Sequence, residues 1–193
     1  LLHERLDALE RALLQGDALG AEHASGAVQA ALQEAPRTLE LKDGHARELH
    51  QAAQRFAQLR AATVRAAAPG PLNLNFFCHT PPAADADDVA WQAALAPFYA
   101  AEGIAADGPA PASRCPFDAD AARVVEKVRP EIVSFHFGLP APDLLARVRA
   151  TGARVIASAT TVAEARWLAA KGCDAIIAQG FEAGGHAGYF LAD

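Results

Sequence analysis

Two joints twenty residues apart, Thr151-Gly152-Ala153 and Lys171-Gly172-Cys173, constrain this chain more than any other feature. Each follows an amphipathic run and precedes a short apolar one. A glycine just past a helix supplies the left-handed cap conformation that other residues resist. Helix, glycine and strand, repeated at this tight period, define βα units. The apolar runs around Val155 and Ile176 carry little polar interruption, as strands covered on both faces require.

The pattern begins at the break Ala66-Ala67-Ala68-Pro69-Gly70-Pro71. Beyond it the spacing predicts strands at 72–78, 132–137, 155–158 and 175–178. Helices are predicted over 89–101, 118–127, 142–151 and 162–171, and a Pro-, Ala- and Gly-rich loop over 103–117. Before the break the chain reads as helix throughout. Leu2, Leu6, Leu9 and Leu13 form one stripe; Leu49, Ala52, Phe56, Leu59 and Thr63 form another. Pro36 should end the helix between them. The expected organisation is an all-α segment over 1–68 and an α/β segment over 69–193. His3, His23, His45 and His50 are read as surface or cap positions, and the leucine stripe as helix packing or a surface for self-association.

Composition removes several classes. Seventeen Lys and Arg against twenty-three Asp and Glu give a net charge of −6, which offers no footprint for a nucleic-acid backbone. No apolar run approaches the ~18 residues of a membrane span. The N-terminus carries Arg, Glu and Asp within its apolar stretch, unlike a signal peptide. Cys78, Cys115 and Cys173 are odd in number and lack a CxxC, so neither a disulfide framework nor a zinc cluster is expected, and a cytoplasmic location is. No metal site is expected.

Side chains at the C-terminal ends of βα strands line the active sites of βα barrels. Here those ends read Asn73 to His79, Ser134 to Gly138, Ser158 to Thr161, and Gln179 to His186. Amides, hydroxyls and imidazoles thus gather on one side of an otherwise apolar layer. Glu182-Ala183-Gly184-Gly185-His186 is either a glycine-rich turn ending in an exposed histidine or a ligand loop with an acid/base group. His136 alternates with Phe135 and Phe137, so it should face opposite to both; it is a core histidine or an inward site histidine. Asn73 and Asn75 share a face, where two buried amides would need partners. Cys78 has no base fixed beside it and reads as packing. Asp85, Asp87 and Asp88 read as a solvated approach to a helix. No GxGxxG, phosphate loop, HExxH or serine elbow occurs.

In order along the chain, Asn73 to Pro82, Val133 to Pro140, Ser158 to Ala165 and Gln179 to His186 resemble the third to sixth strand motifs of the nitronate monooxygenases. The resemblance covers about residues 69–193. It implies a partial TIM (β/α)8-type barrel of about four βα units, non-covalent FMN, and oxidation of alkyl nitronates with O₂. It further implies that Asn75, Gln179 and Gly184 contact FMN, with Asn73 a further candidate. By the same resemblance His186 is the active-site base or substrate-orienting histidine, and His136 a second pocket histidine. The family's first-strand run and its seventh and eighth strands have no counterpart here, and Ala187 stands where an arginine is usual. A chain with no Met and Leu at position 1 reads as cut from a longer frame, and impaired or absent activity is then expected of it alone. The alternatives are a helical interaction module fused to a barrel remnant, and a flavin-dependent enoyl reductase, which shares the Gly-Gly-His type of motif.

Overall fold

The computed structural model describes residues 2–34, 43–81, 89–104 and 115–191. Pro36, the aspartates at 85, 87 and 88, and most of the 103–117 loop lie outside them. The chain divides into two compact units, one of residues 1–79 with 116–193, the other of 80–115.

Three helices open the first unit: α1 (Leu2–Leu14), α2 (Ala18–Glu34) and α3 (Asp43–Ala67). The leucine stripe is spent inside this layer. Leu6 packs with Val28 and Ala52, while Leu9 packs with Ala12 and Ala21; Phe56 and Leu59 border both groups. Asp17 Oδ1 accepts from Gly20 N at 2.9 Å, tying down the start of α2. Arg55 bridges Asp7 and Glu10 of α1, and Arg5 donates to Ala27 O across to α2 at 3.0 Å.

The strands follow as β1 (Asn73–Phe77), β2 (Ile132–His136), β3 (Arg154–Ala159) and β4 (Ala175–Ala178), interleaved with α5 (Ala119–Val128), α6 (Pro142–Ala150) and α7 (Val162–Ala170). All pairs are parallel and the order is β1-β2-β3-β4. Doubly wound sheets reverse their strand order at a switch point; sequential order is that of a barrel wall. Gly152 and Gly172 take φ +87° and +78° after α6 and α7, as their positions in sequence require. Asp118 caps α5, accepting from the backbone N–H of Asp120 and Ala121 at 2.9 Å.

The pairing register sorts side chains into two faces. Phe76, Val133, Phe135, Val155, Ala157 and Ala159 face the helices and pack with Val125, Leu145, Val148 and Leu168. Each large aliphatic or aromatic side chain buried there contributes roughly 1.5–3 kcal/mol. The opposite face carries Asn73, Asn75 and Phe77 of β1, Ser134 and His136 of β2, and Ile156 and Ser158 of β3.

The second unit contains α4 (Val89–Ala101), where the sequence places it, with Pro97 inside the helix and Trp91 and Phe98 exposed.

Candidate functional site at the C-terminal strand ends

On the face away from the helices, hydroxyl and amides form a short relay. Asn73 Nδ2 donates to Ser134 Oγ at 3.0 Å, and Ser134 Oγ donates to Asn75 Oδ1 at 2.9 Å. The two asparagines are exposed rather than buried, a correction to the sequence reading. Buried Ser134 between them satisfies one end of each amide, which leaves Asn75 its Nδ2 as a donor.

His136 lies opposite Phe77 in register, their ring centroids 5.7 Å apart. The alternation expected of Phe135-His136-Phe137 holds for the first pair and fails for the second. Phe135 is buried on the helix side. The strand ends at His136, and Phe137 takes φ 66°. Its ring therefore stands with His136 at 4.5 Å, with Phe77 at 5.4 Å, and 6.3 Å from the His186 ring. His79 joins the same group, 6.4 Å from Phe137.

After β4 the chain folds back over these strand ends. Gln179 grips it with both ends of its amide: Nε2 donates to His186 O at 2.8 Å, and Oε1 accepts from Gly188 N at 2.9 Å. His136 Nε2 lies 3.4 Å from the same His186 carbonyl. Gly188 passes so close that a Cβ there would sit 2.7 Å from the His136 ring, so any larger residue would push that ring aside. The structure thus brings His136, Gln179 and the His186 backbone together, with the His186 side chain exposed. Gly184 is exposed with open space where a Cβ would project. Cys78 is held apart from this chemistry: burial pushes its thiol up to about 12, far from a reactive thiolate.

Sequence reasoning missed three participants. Phe137 has no sequence signal for its left-handed backbone, and Gly188 was not singled out. Glu164, fully buried, is the third. Its spacing from Thr161 is a capping-box signature, and that box forms, but the second carboxylate oxygen reaches Phe190 N and Leu191 N at 2.8 and 3.3 Å. Burial works to raise its pKa; bonds from the Thr160 hydroxyl and from the backbone N–H groups of Phe190, Thr160 and Leu191 prevail, holding it below the ordinary carboxylate value.

Sequential parallel βα units with polar side chains converging at their C-terminal strand ends define a protein of the βα-barrel type. The family model described as nitronate monooxygenase matches residues 50–193. The chain is 46% identical over 134 residues to a nitronate monooxygenase of Paraburkholderia phytofirmans, covering 67% of this chain and 36% of that protein. It is 41% identical over 132 residues to one of Pseudomonas aeruginosa, covering 66% and 37%. Among solved structures, a nitroalkane oxidase from Streptomyces ansochromogenes superposes with a TM-score of 0.55 at 31% identity, covering 68% of this chain and 37% of that one. The chain belongs to the nitronate monooxygenase family, and it spans little more than a third of the length of these relatives.

Proposed function

We propose that this chain carries flavin-facing and substrate-facing strand ends of an FMN-dependent oxidoreductase that oxidises alkyl nitronates with O₂. The observation that supports this most is the meeting of His136 and Gln179 on the His186 carbonyl, at 3.4 and 2.8 Å, beside the Asn75–Ser134 relay. The donor set suits a flavin. Asn75 Nδ2, oriented by Ser134, and the exposed backbone of Gly184 offer N–H groups to a ring edge rich in acceptors, and Gln179 frames the loop between them. When bound, FMN supplies a two-electron acceptor that O₂ can reoxidise.

The chain's own residues then divide the remaining work. The exposed His186 imidazole orients the anionic nitronate by donating a ring N–H toward its oxygens. His136 backs it from the strand end. Phe77 and Phe137 give the alkyl portion an apolar wall and keep water from it. A cytoplasmic location belongs to the same reading, supported by three free cysteines.

The test is direct. The chain is titrated with FMN by flavin absorbance and fluorescence, and O₂ uptake is followed with ethylnitronate. Weak flavin binding with impaired nitronate-dependent uptake is expected of this chain alone, and His186→Asn should lower whatever kcat/KM it has about 10²-fold or more. A folded chain that binds no flavin even at millimolar FMN would overturn the reading.

A further inference from the structure

We infer that Glu164 is a positioning residue, whose buried carboxylate docks the loop after β4 onto α7 and so holds His186 and Gly188 over His136. The inference rests on the reading of His186 as a site residue. A capping box needs one carboxylate oxygen, and Glu164 gives it Oε2, which accepts from Thr160 N and Thr160 Oγ1 at 2.7 Å and Thr161 N at 3.2 Å. Oε1 is turned away from the helix end to a segment 26 residues further on, accepting from Phe190 N and Leu191 N. Among the described residues no lysine or arginine pairs with this carboxylate. A buried charge without a counter-ion is retained only where hydrogen-bond donors replace its water, and here two come from the loop.

An apolar contact runs alongside the polar one. The Phe190 ring packs on Trp167, three residues along α7 from Glu164, at 5.4 Å edge-on. The same ring lies over Gly138, where a Cβ would be 3.1 Å away, next to Phe137. Between 186 and 191 the chain is therefore held at four points: His186 O and Gly188 N by Gln179, and Phe190 N and Leu191 N by Glu164. Apart from these tethers, a backbone bond joins Ala183 N to Gly180 O at 3.2 Å within the loop. Releasing the Glu164 end leaves the Gln179 amide and the Phe190 ring contact to hold it.

Three variants of the whole chain test this, read by amide exchange at Gly188, Phe190 and Leu191 and by the ring resonances of His136 and His186. Glu164→Gln keeps the size but turns an NH₂ toward one set of donors. It should lower protection at Phe190 and Leu191 at least tenfold and shift both histidine resonances. Glu164→Asp is one methylene shorter; it should keep the α7 cap yet give the same loop release, and it serves where the Gln variant folds poorly. Thr161→Ala weakens the cap from the other side. It should lower the thermal midpoint while leaving loop protection and histidine resonances in place. Wild-type protection in both Glu164 variants, or loop release in Thr161→Ala equal to theirs, would overturn the inference. None of these readouts needs flavin or nitronate, so a chain whose loop obeys them but which binds no flavin would sink the functional reading alone.

Discussion

Phe137 shows how one backbone angle can decide what a site contains. At φ 66° a side chain other than glycine's costs about 1–2 kcal/mol, and that strain is what turns the ring from the helix face to the histidine face. Phe137→Gly and Phe137→Ala both remove the ring and differ only in a Cβ at positive φ. The glycine variant should be the more stable by about 1 kcal/mol in urea unfolding, and an alanine variant equal to it would remove the strain argument. A second residue carries a pH signature. Arg65 donates to Glu131 at 2.8 Å and Leu72 N donates to its other oxygen at 2.9 Å. The Arg65 guanidinium first, and the Leu72 N–H after it, hold the Glu131 carboxyl down at about 2, against an ordinary 4.5. A folded pKa below the unfolded one stabilises above pH 4.5 and loses that contribution as pH falls toward 2. Glu131→Gln should thus be less stable than wild type at pH 6, and the gap should close on acidification; a gap constant from pH 6 to 2.5 would contradict the assignment. At this scale the face His136 takes, opposite to Phe135, was legible because strand alternation marks it. Phe137 was not, because a single left-handed residue leaves no period to read.

Elements were more legible than residues, since each is written many times over. The apolar stripes and the glycines at 152 and 172 locate α5 to α7 to within a residue or two. The parallel order of the strands follows from alternation with helices. What the sequence did not disclose is how elements use their surplus groups, such as the second oxygen of Glu164 or the amide of Gln179, because those bonds join residues from separate turns of the fold. One helix start is left incomplete. Ala141 sits at the N-cap of α6 with φ −51° and ψ 147° and has no side-chain cap, ahead of Pro142 and Asp143. The extended backbone already suits a capping hydroxyl. Ala141→Ser should stabilise the chain by about 0.5–1 kcal/mol, seen as a raised thermal midpoint, whereas an unchanged or lowered midpoint would show that the hydroxyl does not reach the orphan N–H groups.

Across the whole molecule, apolar packing is divided although the compact unit is continuous. The sheet and α5 to α7 share one buried cluster, while α1 to α3 hold two smaller ones. The helix α3 lies against α5, and polar bonds join the two regions: Lys127 Nζ donates to Gln54 Oε1 at 2.9 Å, and Arg65 reaches Glu131 and the Arg129 carbonyl at 2.8 and 3.2 Å. Such exposed or half-exposed bonds couple elements weakly, by roughly 0–1 kcal/mol each. Unfolding of the helical layer should therefore run ahead of the sheet's. Leu6, fully buried between α1, α2 and α3, is the place to ask. Leu6→Ala removes a core side chain at a cost of about 2–5 kcal/mol, enough to open a small helical layer. Amide exchange should rise throughout α1 and along the part of α2 facing it, while amides of β2 and β3 keep wild-type protection. The family match begins at residue 50, inside α3, so α3 belongs to both regions and should show intermediate protection, greatest toward Arg65. Uniform loss of protection through β2 and β3 would show instead that helices and sheet unfold as one cooperative body, and that the polar seam couples them far more strongly than its bonds allow.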